Sequence, residues 1–118
     1  MYDYDATVVS VYDGDTITVK IALGFKATLE QTIRILGIDT PEIRTKNKRE
    51  KALGIKVRDY LRKRLLGKQV VVITEKPDKF GGRYLAKVIY KGKSIAKDLI
   101  KKGYARKYHG EKKKPWFE

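Results

Sequence analysis

The sequence predicts an α+β fold: a five-stranded β-barrel with one helix between strands 3 and 4 and a second helix after strand 5. Short runs rich in β-branched residues, bounded by turns with glycine, occupy most of residues 7–38 and 70–90, and such runs indicate strands. Between them, residues 48–66 place apolar side chains at steps of three and four, which is the period of a helix. A chain of 118 residues suits one compact domain, so we expect residues 1–118 to form one, with a basic tail from about residue 107.

The first three strands are predicted to form a meander. They are expected over residues 7–12, 16–23 and about 27–38. Asp13-Gly14 is a typical tight turn between the first two strands, and Gly24 ends the second. Because the third strand runs back beside the second, the residues that precede strand 2 and follow strand 3 should lie side by side.

After residue 47 the pattern changes to that of a helix with one apolar and one basic face. The apolar set is Leu53, Val57, Tyr60, Leu61 and Leu65, and the basic set is Lys56, Arg58, Arg62 and Lys63. Gly67 is expected to end this helix, whereas Gly54 predicts an irregular first turn because glycine is a poor helix former.

The remaining elements are two strands, over residues 70–74 and 85–90, and a short helix. Ser94 is the expected N-cap of that helix and Gly103 its C-cap. A helix between strands 3 and 4 of a five-stranded barrel is the plan of the OB-fold, a common nucleic-acid-binding barrel. Other small α+β arrangements share this order of elements.

The charge of the chain predicts a polyanionic partner. Lys and Arg number 28 against 14 Asp and Glu, a formal net charge of +14, which favours nucleic acid. A membrane surface and an acidic protein remain alternatives, although no run approaches the roughly 20 apolar residues of a membrane helix. The absence of cysteine excludes disulfides and thiolate metal sites. The first residues do not read as a signal peptide, so we expect a cytoplasmic protein, or a secreted one whose leader has been removed.

Two acidic turns offer oxygen ligands for a hard cation: Asp13-Gly14-Asp15-Thr16 and Asp39-Thr40-Pro41-Glu42. Two carboxylates, from Asp15 and Asp39, with the carbonyl of Thr40 and waters would make a site for Ca²⁺ or Mg²⁺. A single histidine and no cysteine disfavour zinc. Each turn also has a purely structural explanation, a hairpin turn for the first and a strand end with a proline turn for the second.

Arg34 lies within an apolar strand, where an unpaired charge would be costly. One explanation is an internal salt bridge with Asp15 or Glu42. The other is a guanidinium aimed at a phosphate oxygen, with Arg83 as a second one after two glycines. Carboxylates for a cation and two arginines for a phosphate are what phosphodiester hydrolysis requires, so these residues predict a metal-dependent nuclease.

Other charged and aromatic residues have simple structural explanations. The basic helix face and Lys112-Lys113-Lys114 are typical of solvated charge, which would attract a nucleic-acid backbone without specificity. Four aromatic residues near the C-terminus could stack on bases: Tyr104, Tyr108, His109 and Trp116. Tyr104 is equally suited to the core. A lone histidine is weak support for a catalytic base, so His109 receives no catalytic role.

Three motifs in order carry a resemblance to a known family: Asp13-Gly14-Asp15-Thr16, the segment from Arg34 to Glu42, and Asp78-Lys79-Phe80-Gly81-Gly82-Arg83-Tyr84-Leu85-Ala86. From about residue 7 to 106 the chain resembles the staphylococcal nuclease (thermonuclease) family. The resemblance implies an OB-fold and a Ca²⁺-dependent phosphodiesterase that acts on DNA and RNA, leaving 3′-phosphate and 5′-hydroxyl ends.

The resemblance also implies a role for each site residue. The metal ligands would be Asp15, Asp39 and the carbonyl of Thr40. The catalytic residues would be Arg34 and Arg83, which stabilise the phosphate, and Glu42, which activates or positions the attacking water. The substrate contacts are assigned to Lys79 and Tyr108.

The chain departs from the family pattern in three places. The turn before Arg83 is one residue longer, Phe80 replaces a tyrosine, and the chain ends soon after Pro115-Trp116-Phe117 without a third helix, as in a short member. From the resemblance as a whole we expect a calcium-dependent, monomeric endonuclease that prefers single-stranded nucleic acid and does not bind membranes.

Two rival functions remain: a non-catalytic OB-fold module that binds nucleic acid, and a basic ribosome- or nucleoid-associated protein whose acidic turns are only structural. The carboxylates favour the enzyme, since a phosphate-binding surface gains nothing from Asp15, Asp39 and Glu42 beside its ligand.

Overall fold

The computed structural model describes residues 3–77 and 83–117. Its elements, in chain order, are β1 Asp3–Val11, β2 Thr16–Gly24, β3 Ala27–Ile35, β4 Ile38–Asp39, α1 Lys48–Leu65, β5 Gln69–Pro77, β6 Arg83–Tyr90, β7 Lys93–Ser94, α2 Ile95–Lys101 and β8 Arg106–Lys107. The predicted substrate contact Lys79 and the lengthened turn with Phe80 and the two glycines before Arg83 lie outside the described residues.

Five of these strands close into a barrel. The sheet runs in the order β3-β2-β1-β5-β6-β7, and β3 also pairs with β6 in parallel, from Thr32 opposite Arg83 to Ile35 opposite Ala86. The other pairings are antiparallel. With α1 between β4 and β5 and α2 after β7, the predicted five-stranded barrel with two helices is confirmed.

The core fills the barrel and the space between it and α1. It consists of aliphatic side chains on alternate strand positions, for example Val8, Ile17, Ile33 and Val72, which are fully buried. From α1 the buried apolar side chains are Val57, Leu61 and Leu65, three of the predicted face. The predicted N-cap of α2 is confirmed, because the Ser94 hydroxyl accepts a hydrogen bond from the Lys97 amide at 3.3 Å. The C-cap of α2 is Lys102 rather than Gly103, which follows it with a φ of 76°.

The prediction of one unbroken third strand over residues 27–38 is wrong. β3 ends at Ile35, and Gly37 has a φ of 87°, a left-handed conformation that glycine adopts without steric cost. The chain therefore turns out of the barrel wall, and β4 pairs with β8 instead, Ile38 opposite Lys107 and Asp39 opposite Arg106.

The irregular first turn predicted at Gly54 is also wrong, since α1 is continuous across it. Gly54 is buried against the chain that follows β4. A Cβ at this position would stand 2.8 Å from the Pro41 carbonyl oxygen and 2.9 Å from that of Glu42. Glycine is required here for close approach, and the weak helix propensity is outweighed by packing.

Residues 106–117, which we call the C-terminal strap, showed no periodicity in the sequence. They lie against the end of the barrel, where the Tyr108 amide donates to the Gly37 carbonyl at 2.9 Å. The Arg106 guanidinium donates to the Lys114 carbonyl and lies 4.5 Å from the centre of the Trp116 ring. Within the described part of the chain, no helix is long and apolar enough to cross a membrane.

Candidate active site

The two acidic turns pack directly against each other through a glycine. A Cβ on Gly14 would stand 2.6 Å from Val57 Cγ1 and 3.0 Å from Thr40 Cβ. Gly14 does not have a positive φ, so what it provides is space and not an unusual backbone conformation. The turn does connect β1 and β2, with the Tyr12 amide donating to the Thr16 carbonyl at 3.0 Å. The hairpin-turn explanation is therefore correct but incomplete, because the same glycine lets the Thr40 turn approach.

Asp15 and Arg34 form an ion pair at the mouth of this junction. Arg34 Nη2 lies 3.4 Å from Asp15 Oδ2, and each side chain is only 11 % exposed. Thr16 donates its hydroxyl to Asp15 Oδ1 at 3.1 Å. Arg34 Nη1 also donates to the carbonyls of Ile35 and Ile38, at 3.4 and 3.3 Å. The salt-bridge explanation for Arg34 is thus present in the structure, but every contact is long, so the guanidinium is oriented rather than saturated.

Asp39 is the most buried carboxylate of the site, with its side chain 2 % exposed. Its Oδ2 accepts two hydrogen bonds from Arg106, from Nε at 3.1 Å and from Nη2 at 3.0 Å. Its Oδ1 is buried without a hydrogen-bond donor. The nearest cation is Lys113, whose Nζ lies 3.3 Å from Oδ1, an ion pair without hydrogen-bond alignment. The sequence analysis did not predict that Arg106 and Lys113 contact Asp39. The one feature that could have indicated such contacts is that a buried carboxylate needs positive partners.

Glu42 projects from the same turn and is half exposed. Its backbone amide donates to Glu50 Oε2 at 2.8 Å, which ties the turn to the first turn of α1. Lys113 Nζ lies 3.6 Å from Glu42 Oε1, so this one ammonium contacts carboxylates from both positions of the turn, Asp39 and Glu42.

Asp13 is a further site residue that sequence reasoning treated only as part of a turn. Its carboxylate accepts a hydrogen bond from the Asp15 amide at 3.1 Å. Burial, and then the neighbouring charges of Asp15 and Glu42, raise the pKa of Asp13 to about 7. The spacing of two aspartates across one glycine was the available signal. Crowding of carboxylates that raises a pKa also favours a bound cation.

The predicted phosphate-binding residues lie on one face of the barrel wall. Thr32 and Arg34 are two residues apart on β3, so they share a face, and Arg83 on β6 is the direct partner of Thr32. The register puts the Arg83 backbone roughly 7 Å along the strand from that of Arg34. Tyr108 joins them from the strap, with its ring centre 5.8 Å from Arg34 Cζ and 5.5 Å from Lys113 Nζ.

The donor set suits a hard cation. The carboxylates of Asp15 and Asp39 are largely buried, Gly14 packs against Thr40, and the Asp39 Oδ1 atom has no hydrogen bond to satisfy it. Among residues 3–77 and 83–117, no three histidine, cysteine or acidic side chains form a group that could hold a metal ion. The predicted ligand set does not meet that description, because it contains only two acidic side chains and takes its third ligand from a backbone carbonyl.

Comparison with known protein families gives a match over most of the chain. The model of the family described as staphylococcal nuclease homologue matches residues 32–116. This range includes the Arg34 and Asp39 segment and begins after the acidic turn at Asp15.

Individual relatives agree with that match. The chain is 33 % identical to an uncharacterized protein of Methanocaldococcus jannaschii over 89 % of this chain and 59 % of the relative. It is 33 % identical to the thermonuclease of Staphylococcus hyicus over 84 % of this chain and 56 % of that protein. It is 32 % identical to a probable endonuclease of Schizophyllum commune over 72 % of this chain and 34 % of that protein. The chain thus spans about a third to three fifths of the length of these relatives.

Proposed function

The chain belongs to the family of staphylococcal nuclease homologues, and on this basis we propose that it is a Ca²⁺-dependent nuclease that hydrolyses phosphodiester bonds of DNA and RNA. We further propose 3′-phosphate and 5′-hydroxyl products. The observation that carries the proposal is the pairing of Asp15 with Arg34, 3.4 Å apart, beside the buried Asp39 turn. The proposed cation site and the proposed phosphate site would thereby adjoin each other.

Asp15, Asp39 and the Thr40 carbonyl would hold the ion. When bound, Ca²⁺ would supply positive charge to a non-bridging phosphate oxygen and a nearby water. Glu42 is half exposed and lies on the same turn as Asp39, so it can orient that water or take its proton. The hydrogen bond from the Glu42 backbone amide to the Glu50 carboxylate and the close packing of Gly54 hold this turn against α1, which would fix the position of the Glu42 carboxylate.

Arg34 and Arg83 would stabilise the negative charge that develops as phosphorus becomes five-coordinate. The contacts of Arg34 to Asp15 and to two carbonyls hold its guanidinium before substrate arrives, which is electrostatic preorganisation. Removal of either arginine should slow cleavage by on the order of 10²-fold or more.

A non-catalytic nucleic-acid-binding module is the second candidate. It is favoured by the ion pairs of Asp39 and Arg34, because every carboxylate that would bind a metal already faces a cation of this chain. Such a module would bind nucleic acid through the net charge of +14 and lose affinity steeply with salt.

Cleavage of a fluorescent single-stranded oligonucleotide distinguishes the two. We expect cutting with Ca²⁺, none with chelator, and losses of on the order of 10²-fold or more in Asp15→Ala, Arg34→Ala and Glu42→Gln. Glu30→Gln, an exposed acidic residue of β3 far along the hairpin, is the matched control and should keep full activity. Tight binding with no cutting in any metal would instead establish the binding module.

The preference for single strands is part of the same proposal, as are a monomeric state and a cytoplasmic or secreted location. Competition between single-stranded and duplex oligonucleotides of equal length tests the first, since an open barrel surface can contact unstacked bases through residues such as Tyr108.

A further inference from the structure

One basic residue of the strap, Lys113, lies within ion-pair distance of two carboxylates of the candidate site. Lys113 Nζ lies 3.3 Å from the buried Asp39 Oδ1 and 3.6 Å from Glu42 Oε1, a position between the carboxylates of a predicted metal ligand and the predicted water-binding residue. Like lysine side chains in general, Lys113 carries a positive charge at neutral pH.

The two cations on Asp39 differ in how firmly they are held. Arg106 makes two hydrogen bonds to Oδ2 and is covered by the Trp116 ring. Lys113 makes one unaligned contact to Oδ1, and its side chain is 44 % exposed. A lysine also has a flexible four-carbon stem and a compact charge, so it can swing out to solvent while its backbone stays in place.

The strap keeps Lys113 near the site whether or not its ammonium is in contact. β8 pairs with β4, and the Tyr108 amide donates to Gly37 at 2.9 Å. The Tyr108 ring lies 5.5 Å from Lys113 Nζ and offers a second favourable position for the charge. Arg106 continues to neutralise Oδ2, so departure of Lys113 frees only one oxygen, the one without a hydrogen bond.

We propose that Lys113 is a displaceable internal counter-ion of the metal site: its ammonium neutralises Asp39 and Glu42 in the metal-free protein and must leave Asp39 Oδ1 before a divalent cation can bind. The inference rests on the proposed function, since both concern the same cation. Lys113 thereby sets the metal affinity of the site, because each binding event costs the loss of an existing ion pair.

Isothermal titration calorimetry of Ca²⁺ into wild type, Lys113→Gln and Lys112→Gln tests this proposal. Lys112 is exposed and adjacent, so its variant removes the same charge from the same segment and matches any general electrostatic effect. We expect Lys113→Gln to bind Ca²⁺ more tightly than Lys112→Gln, by up to about fivefold, which corresponds to the upper range of a surface ion pair.

Thermal unfolding provides a second readout that does not require catalysis. In chelator, Lys113→Gln should melt below Lys112→Gln because Asp39 has lost a cation, while the rise in melting temperature on adding Ca²⁺ should be larger for Lys113→Gln. A lysine with only a structural role would lower the melting temperature and leave the Ca²⁺-induced rise unchanged.

The outcomes separate the two proposals. If wild type binds Ca²⁺ and cuts with it, but both glutamine variants bind equally or Lys113→Gln binds more weakly, the counter-ion proposal is overturned and the nuclease stands. If none of the three proteins binds Ca²⁺, both the calcium dependence and the role of Lys113 are overturned.

Discussion

Replacing Gly54 with alanine tests how α1 positions the turn that contains Pro41 and Glu42. In most helices this change stabilises by about 1 kcal/mol, because alanine loses less backbone entropy than glycine. In this helix the new Cβ would stand 2.8 Å from the Pro41 carbonyl oxygen and 2.9 Å from that of Glu42. Both atoms are backbone, so neither can move aside by changing a rotamer.

The magnitude follows from those distances. An ordinary contact begins near 3.4 Å, so the approach at 2.8 Å is short by 0.6 Å and either the turn or the helix must shift. Overpacking of this kind typically costs about 1–3 kcal/mol. After subtraction of the helix-propensity gain of about 1 kcal/mol, we expect Gly54→Ala to lower the free energy of unfolding by up to about 2 kcal/mol.

The assay is urea unfolding in chelator, with cleavage rates measured on the same proteins. Ala52→Gly is the matched control, since residue 52 is exposed on the same helix and should lose about 1 kcal/mol from propensity alone with full activity. Gly54→Ala should also slow cleavage by on the order of tenfold or more, because the shift is transmitted to Glu42. If Gly54→Ala were instead about 1 kcal/mol more stable than wild type and fully active, the close approach would not constrain the turn and the reasoning would be refuted.

Three further predictions concern stability in chelator. Since the pKa of Asp13 is raised from 3.8 to about 7 in the folded protein, the fold loses stability as the pH rises from about 4 to about 7, and above pH 7 this loss stays constant. Asp13→Asn should therefore be more stable than wild type at pH 8, by up to about 4 kcal/mol, with a difference that vanishes toward pH 4, and a constant offset in urea midpoints would contradict this. Asn47→Ala should cost about 1 kcal/mol, because Asn47 Oδ1 caps α1 with two hydrogen bonds of 3.0 Å, while Asn47→Asp should keep that stability in the same unfolding assay. Tyr60→Phe should cost about 1–2 kcal/mol in urea unfolding, because the Tyr60 hydroxyl donates to Asp98 at 2.6 Å; an unchanged midpoint would show that water replaces this bond.

The barrel could be predicted, and a candidate site proposed, because their signals are local. Alternating β-branched runs and a helical period identify strands and helix without knowledge of the neighbours. A meander then places the turn at Asp15 and the turn at Asp39 at the same end of the sheet. In the structure Arg34 links them, with contacts to the Asp15 carboxylate and to the carbonyl of Ile38, next to Asp39.

The errors at Gly37 and Gly54 have a common cause. An apolar run with one glycine reads as a continuous strand, but the left-handed φ of Gly37 ends β3 and directs the next residues toward β8. Helix propensity predicts weakness at Gly54, whereas the deciding factor is a backbone that approaches from a segment twelve residues earlier in the chain. Propensities describe a residue and its neighbours in sequence, and neither effect arises there.

By itself, the sequence determined the five barrel strands and the two helices, because each depends on the period of a segment, and it predicted the carboxylates and arginines of the candidate site from residue types within turns. Only the tertiary structure decided which charges face one another. Arg106 meets Asp39 across 67 residues, and Lys113 reaches the same carboxylate from a strap without any periodic pattern. Pairing between distant charges depends on how the chain is folded back, and a charge count constrains their number but not their partners.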